Sequence, residues 1–418
     1  MAMLTALCLL LPLLSGTPNS ETLAPIVVTP TTLHVPGEAV VAGVNTMEDA
    51  ILRADPGQTV IIERGDYPPL SLGFGKQRRK SGGKIGGQAG LPVVVEARGV
   101  VRIRGGKGDA IAISQEVPTQ HLVFRGIEIH PGTRAGIMLF KQNPSRRHKG
   151  IHFEDCEILG QYDHLSDSGQ RSKWGVWGHQ LDDFRFVGMT APARIQDIAL
   201  EHAFYLQNPL GPILLENVHG RRLGRTFCQF TARGKDGPIG IGEVTVRNCL
   251  VEDTGISRRD GFKGGSAFTL SGRLTGTVLF EDNEFSCGFD PVLRGLKRRG
   301  QPYGTGAFMA WLEPSAQNMP TKLLVLRNNT FRFAESCGDR PVVSIGGCRD
   351  VRIVGENRFE SGGINDAVAF DPVDEMGRLV SDSNISVFMA PQTRLKGRVT
   401  VRGNTANDRV WQVLHGFE

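Results

Sequence analysis

Two short patterns alternate along the chain, and their spacing limits what it can fold into. One runs "KGIHFEDCEI" (149–158), "EVTVRNCLV" (243–251), "TVLFEDNEF" (277–285) and "LLVLRNNTF" (323–331), then more loosely "IVGENRF" (353–359) and "VTVRGNTA" (399–406). The other runs "AGIMLF" (135–140), "WGVWGH" (174–179), "HAFYLQ" (202–207), "RTFCQF" (225–230), "SAFTLS" (266–271) and "GAFMAW" (306–311), continuing as "PVVSIG" (341–346) and "DAVAFD" (366–371). Each is a short stretch of strict apolar alternation, which buries one face and leaves the other free. Two such strands in fixed order, every 25 to 45 residues and without helical periodicity between them, predict a solenoid. The Asn or Cys that ends the first pattern marks a place where the chain must turn. Stacked Asn side chains there can bond the backbone of neighbouring coils. The expected fold is all-β, a right-handed parallel β-helix with coils about 4.8 Å apart.

Composition agrees. With 53 Gly and 23 Pro in 418 residues, turns should be frequent and helices few. Residues 1–20 carry an apolar run from Leu4 to Leu14, too short to span a bilayer and read as a signal peptide. Residues 21–45 read as a linker and 46–418 as one β-helix domain. Within the domain, "TMEDAILRADPGQTVIIERGDYPPL" (46–70) predicts a short amphipathic helix, a turn and a strand. A helix there would cap the first open edge of the solenoid. Of the seven Cys, Cys8 lies in the leader and the rest show no CxxC or CxxxC spacing, so a zinc site is not expected. Cys287 with Cys337 is the one pairing worth checking.

The capped opening followed by these rungs resembles the pectate-lyase-like superfamily of right-handed β-helix proteins, over most of residues 46–410. Within it, the opening is similar to polysaccharide lyases that cleave alginate or chondroitin-type chains. No catalytic residue carries over. The Asn-Thr-Asp, Asp-Asp and Gly-His-Gly motifs of polygalacturonases and the Asp-Pro-His-Asp motif of alginate epimerases are absent, and "DRPVVS" (339–344) lacks the second Arg of the pectate-lyase motif. Fold analogy alone does not assign a function.

Alignment of the second pattern on its Phe, Ile or Val column points Ile137, Val176, Phe204, Phe227, Phe268 and Phe308 inward. Two outward columns follow: Met138, Trp177, Tyr205, Cys228, Thr269 and Met309, then Phe140, His179, Gln207, Phe230, Ser271 and Trp311. Exposed aromatic rings are costly unless loops cover them or a ligand binds there, and flat rings suit sugar faces. His202 falls on the inward parity. The segments leading into this strand (160–173, 219–225, 253–265, 286–305) hold twelve Lys or Arg against five Asp, a net of +7, whereas the whole chain is only +5. A basic edge beside aromatic rings predicts an anionic polysaccharide as partner. Loop-borne charge and a small net charge argue against nucleic acid. No stretch predicts a membrane span, and a monomer is expected.

Elimination on a uronate needs a neutralised carboxylate, a base for the C5 proton and an acid for the leaving oxygen. Tyr205 and His179 are the candidate acid–base pair, Arg225 and Arg222 the candidates for carboxylate neutralisation, and Glu201 a base or an orienting group for His202. Trp177, Gln207, Phe230 and Trp311 complete the expected binding strip. Ca²⁺ is a possible cofactor through "YDHLSDS" (162–168), although the order of a Ca²⁺ loop is missing. Hydrolysis by two carboxylates and a non-catalytic binding or fibre role are the competing readings.

Overall fold

The computed structural model describes residues 26–28, 47–79, 81–140, 146–160, 173–198, 201–232, 239–255, 266–287, 306–312, 323–333, 343–346, 350–361, 366–370, 386–389, 394–396, 398–401 and 412–415. Among the described residues, each coil from His148 to Val401 consists of three strands. Leu181–Val187, Ala193–Ile198 and Phe204–Gln207 make one coil, and Ile213–Glu216, Val218–Leu223 and Cys228–Thr231 make the next. Every strand pairs in parallel with its counterpart one coil on: Phe184 with Ile213, Arg194 with His219, Phe204 with Cys228. The first two faces join in one continuous sheet, and the third face is a separate sheet of eleven strands. In the early coils one long bent strand, such as Val93–Arg104 or Thr119–His130, covers both of the first two faces. The fold is the expected parallel β-helix.

The corner between the first two faces explains the first repeat. Asp155, Asn217, Asn248, Asp282 and Asn328 follow paired residues in one column, interrupted only at Gly188 between the first two, and all five have φ between 50° and 54°. Gly355 continues the column at φ 72°. Asn, Asp and Gly tolerate this left-handed conformation best. The residue after each Asn or Asp points inward, as does Asn357 two positions after Gly355, and Asn283, Asn329 and Asn357 form a buried ladder. Asn283 Nδ2 donates to Asn329 Oδ1 (2.9 Å) and to the Val246 carbonyl (2.9 Å). Asn329 Nδ2 donates to Asn357 Oδ1 (3.2 Å) and to the Phe280 carbonyl (2.9 Å). The backbone N–H groups of Cys249, Asn283 and Asn329 donate to the side-chain oxygen of the next Asn in the ladder. Where the ladder gives way to Cys156 and Cys249, the thiols point to carbonyls of the same corner.

Inside the tube, aromatic rings continue from coil to coil. Phe124 stacks on Phe153 (5.0 Å), Phe204 and Phe227 meet edge to face (5.5 Å), and Phe285, Phe331 and Phe359 stack in turn. The helix Met47–Arg53 lies at the N-terminal end with Met47, Ala50, Ile51 and Leu52 buried, as a cap requires. One expectation needs correcting. Residues 21–45 are not wholly linker, because Ile26–Val28 forms a strand parallel to Val60–Ile62. The leader, Cys8 and Cys337 lie outside the described residues.

Asn329 is fully buried and serves both neighbouring coils. Asn329→Ala leaves a buried N–H and a buried amide without their acceptor, at about 1–3 kcal/mol each. Urea denaturation is expected to show a loss of about 2–5 kcal/mol. A loss below about 0.5 kcal/mol would mean the ladder does not hold the corner.

Candidate functional site

The outer surfaces of the three faces differ in chemistry. On the first two, ion pairs link coil to coil: Arg125 bridges Glu96 and Glu154, Arg194 meets Glu157, Arg247 meets Glu216, and Arg327 meets Glu281. Such exposed pairs keep a solvated surface ordered at little net gain. The outer side of the third face carries instead rings, amides and hydroxyls.

Register places these side chains in columns. Trp177 pairs with Tyr205, Tyr205 with Gln229, and Gln229 with Thr269. His179 pairs with Gln207, Gln207 with Thr231, and Thr231 with Ser271. A third outer column arises because alternation breaks just before each strand. Ala203 and Phe204 are both in the core, as are Phe227 and Cys228, and Ala267 and Phe268. Two successive inward residues, matched in register from coil to coil, form a bulge-like kink with no inserted residue and turn the preceding side chain outward. Trp174, His202, Thr226 and Ser266 therefore stand on the outer side, three positions before the central column. Trp174 packs on Trp177 (6.1 Å), His202 stacks on Tyr205 (5.0 Å, 24°), and the Ser266 hydroxyl meets that of Thr269 (2.7 Å).

The same kink corrects two expectations. Phe230 does not face outward. Its strand is displaced by one residue from the expected register, so Cys228 takes the slot of Phe204, and Phe230 pairs with Leu206 in the core. A one-residue slip exchanges the two faces, and Gln229 replaces Phe230 on the outside. "FCQF" invites the error because Phe227 fills the small-residue slot held by Ala203 and Ala267, while Cys228 fills the Phe slot. His202 is the second correction. Strand parity predicts an inward ring, whereas the kink sets it beneath Tyr205.

Most of this outer side is buried: Met138, Gln229, Thr231, Thr269 and Ser271 all are. Trp174, Trp177, Tyr205 and Gln207 stay half-open and form a small window. His179 is on the expected column but only 2% exposed, so it does not join Tyr205 at the open surface. Gln207 Nε2 donates to the Tyr205 hydroxyl oxygen (2.8 Å), leaving the phenolic proton to point elsewhere. Trp311 pairs with Ser271 three coils on, and its side chain lies outside the described residues.

Charged groups flank the window. Glu201 and Arg225 precede His202 and Thr226 in consecutive coils, and Arg225 Nη1 lies 3.3 Å from Glu201 Oε2. Glu201 also lies 3.7 Å from His202 Nδ1, a charge–dipole contact too long for a hydrogen bond. Lys173 sits over the Trp174 ring (5.9 Å). Arg222 is placed differently. It has φ 51°, as does its neighbour Asp197 at 58°, and the two make a two-pronged pair (2.6 and 2.7 Å) at the bend that follows the second face. Most of the expected basic loop residues, and the 162–168 cluster considered for Ca²⁺, lie outside the described residues.

Burial, and then the charge of Arg225, pushes the His202 imidazole down to about 3, opposed by the side chain of Gln229 acting as an acceptor toward the ring. Burial likewise pushes His148 down to about 4, its ring held between Gln115 Nε2 and the Phe140 carbonyl. Both rings are neutral at pH 7. Sequence reasoning missed Trp174 and Gln229. Trp174 was visible as the first residue of "WGVWGH", but only the kink makes it an outer residue.

No protein-family model matches the chain, and neither does any curated protein. Among solved structures it is similar to an alginate lyase from Paenibacillus sp. at 12% identity, covering 85% of this chain and 96% of the other, with a TM-score of 0.46. It is also similar to a pectate lyase at 13% identity, covering 77% and 80%, with a TM-score of 0.42. The catalytic unit of an α-1,3-glucanase from Streptomyces thermodiastaticus is similar at 14% identity, covering 87% and 66%, with a TM-score of 0.39. These are likenesses of fold.

Two outcomes test the site's construction. Phe230→Ala should cost about 3–5 kcal/mol in denaturant unfolding and Gln229→Ala less than about 1.5 kcal/mol; the reverse order would restore the discarded register. The second outcome concerns pH. Because the unfolded imidazole protonates near 6.5 and the folded one near 3, the His202 contribution is complete above pH 6.5 and is lost as pH falls towards 3. The loss should be on the order of 1 kcal/mol per pH unit, and His202→Asn should flatten the stability curve over that window. An unchanged slope in the variant would contradict a buried neutral ring.

Proposed function

We propose that this protein is a secreted enzyme that binds an anionic polysaccharide and cleaves it by β-elimination at the Trp174–Trp177–Tyr205 window. The observation that carries the reading is the pairing of half-open rings with an exposed guanidinium. Trp177 and Tyr205 pair in register one coil apart, and Arg225, 43% exposed, stands beside the His202 ring that supports Tyr205. Rings offer stacking surfaces for sugar faces, and the guanidinium offers a two-pronged partner for a uronate carboxylate.

Roles follow from position. Arg225 neutralises the carboxylate and so acidifies the C5 proton. Glu201, at the same edge, accepts that proton; the electron pair forms the C4–C5 double bond and the C4–O bond breaks. Tyr205, whose oxygen already accepts from Gln207, delivers its proton to the leaving oxygen. His202 is a positioning residue: a neutral ring under Tyr205 leaves the charge of the site to Glu201 and Arg225. His179, being buried, has no part in the transfer, and Arg222, paired with Asp197, stays structural.

The test is incubation with alginate, polygalacturonate and chondroitin while following the absorbance of the unsaturated product. The wild-type protein should act on at least one, and Tyr205→Phe should lower kcat by about 10²–10⁴-fold. Silence of the wild type on every polymer would overturn elimination. Binding retained without turnover would favour a non-catalytic carbohydrate-binding role.

A further inference from the structure

Trp174, Trp177, Tyr205 and Gln207 belong to two consecutive coils, so their window extends roughly 10 Å along the solenoid axis. What borders it decides how much of a chain it can hold. In the coil before, Met138 pairs with Trp177 and is only 2% exposed. The same coil carries Arg134, which holds the buried Asp109 carboxylate through Nε (2.8 Å) and Nη2. The Arg134 guanidinium also lies over the Phe140 ring (5.0 Å), and Phe140 meets Phe74 edge to face (5.8 Å). Arg134 is thereby committed, and with Phe140 it walls the window off from the coils on the N-terminal side.

The coil after the window is closed as well. Gln229 pairs with Tyr205 and Thr231 with Gln207, and both are buried, as are Thr269 and Ser271 one coil further. The corner beyond the window is formed by His179, Gln180 and Asn208, each no more than 2% exposed. The fourth side is the entry edge. There Lys173 is exposed beside Trp174, and the Arg225 side chain is 43% exposed. Among the described residues, the window is a recess closed on three sides and open at a cationic rim.

We propose that this recess takes the end of an anionic chain, so that the protein acts from a chain terminus and releases short products. A chain held by an internal stretch must leave its site in two directions, whereas here it can leave only over the rim. A groove for internal binding would show open outer residues over a row of coils, and the outer residues on both sides of Trp177 and Tyr205 are buried instead. Two coils, roughly 10 Å, give room for one or two sugar rings. With Arg225 at the rim, the reacting uronate sits where the chain leaves the recess, and the sugars already inside become the released product. The inference rests on the anionic-chain reading above and adds to it the part of the chain that is recognised.

Two measurements test it. In the first, wild-type protein is incubated with alginate, polygalacturonate and chondroitin, and viscosity is followed beside the absorbance of the unsaturated product. Action from a chain end should release one- or two-sugar products from the start, with viscosity nearly unchanged while the first few per cent of bonds are cleaved. An early collapse of viscosity with a ladder of long oligomers overturns the proposal. The second measurement needs no turnover: the Tyr205→Phe protein is titrated calorimetrically with a uronate tetramer and a uronate dodecamer. Binding at a chain end predicts one protein per chain and the same Kd per chain for both. Internal binding predicts a several-fold lower Kd for the dodecamer, because each added sugar adds a register, and more than one protein on each dodecamer. That result overturns the proposal too. One protein per chain, with no unsaturated product from any polymer, defeats elimination and leaves the chain-end site standing. If neither oligomer binds, the anionic-chain reading fails and the chain-end site falls with it.

Discussion

Stacking of identical corners is the constraint from which the rest of this structure follows. A parallel solenoid must bend at the same place in every coil, and each bend leaves backbone groups that only the coil above or below can satisfy. Here the bend between the first two faces uses a left-handed Asn, Asp or Gly in most described coils, and from Asn283 to Asn357 an inward Asn whose amide bonds neighbouring coils. A coil that missed this column by one residue would lose two backbone bonds and reverse every side chain beyond it. The corner therefore locks register, and register decides which side chains share an outer column.

The third face uses that locked register differently from the other two. Its strands begin with two consecutive inward residues, so the residue before them is turned outward beside the one three positions later. The repeated kink creates pairs of outer side chains: Trp174 with Trp177, His202 with Tyr205, Ser266 with Thr269. Where the pair is aromatic and half-open, a surface for a flat ligand results. Where it is Ser and Thr, the hydroxyls satisfy each other and the surface is closed. The chemistry of the window is thus a local choice of residues on a scaffold feature shared by several of the described coils.

The fold was legible in the sequence because alternation and turn chemistry both repeat. "EDC", "RNC", "EDN" and "RNN" display the corner directly, and Asn ladder bonding follows from the side chain itself. The site was legible only in part. Tyr205, Trp177 and Gln207 were found because strand parity holds between them. Phe230 was misplaced and His202 turned the wrong way because parity fails at the kink, and the kink has no residue signature when its slots accept Ala, Phe or Cys alike. His179 shows a different limit. Its column was read correctly, but whether an outer residue is open depends on what packs over it, and strand alternation carries no information on that.

The central claim is that an acidic sugar lies against Trp177 and Tyr205 with its charged group on Arg225. The most direct measurement is a crystal structure of the Tyr205→Phe protein soaked with a uronate tetramer. The expected result is a sugar ring stacked on Trp174 or Trp177 and a carboxylate within hydrogen-bonding distance of Arg225. A tetramer bound along the ion-paired outer surface of the first or second face would contradict it.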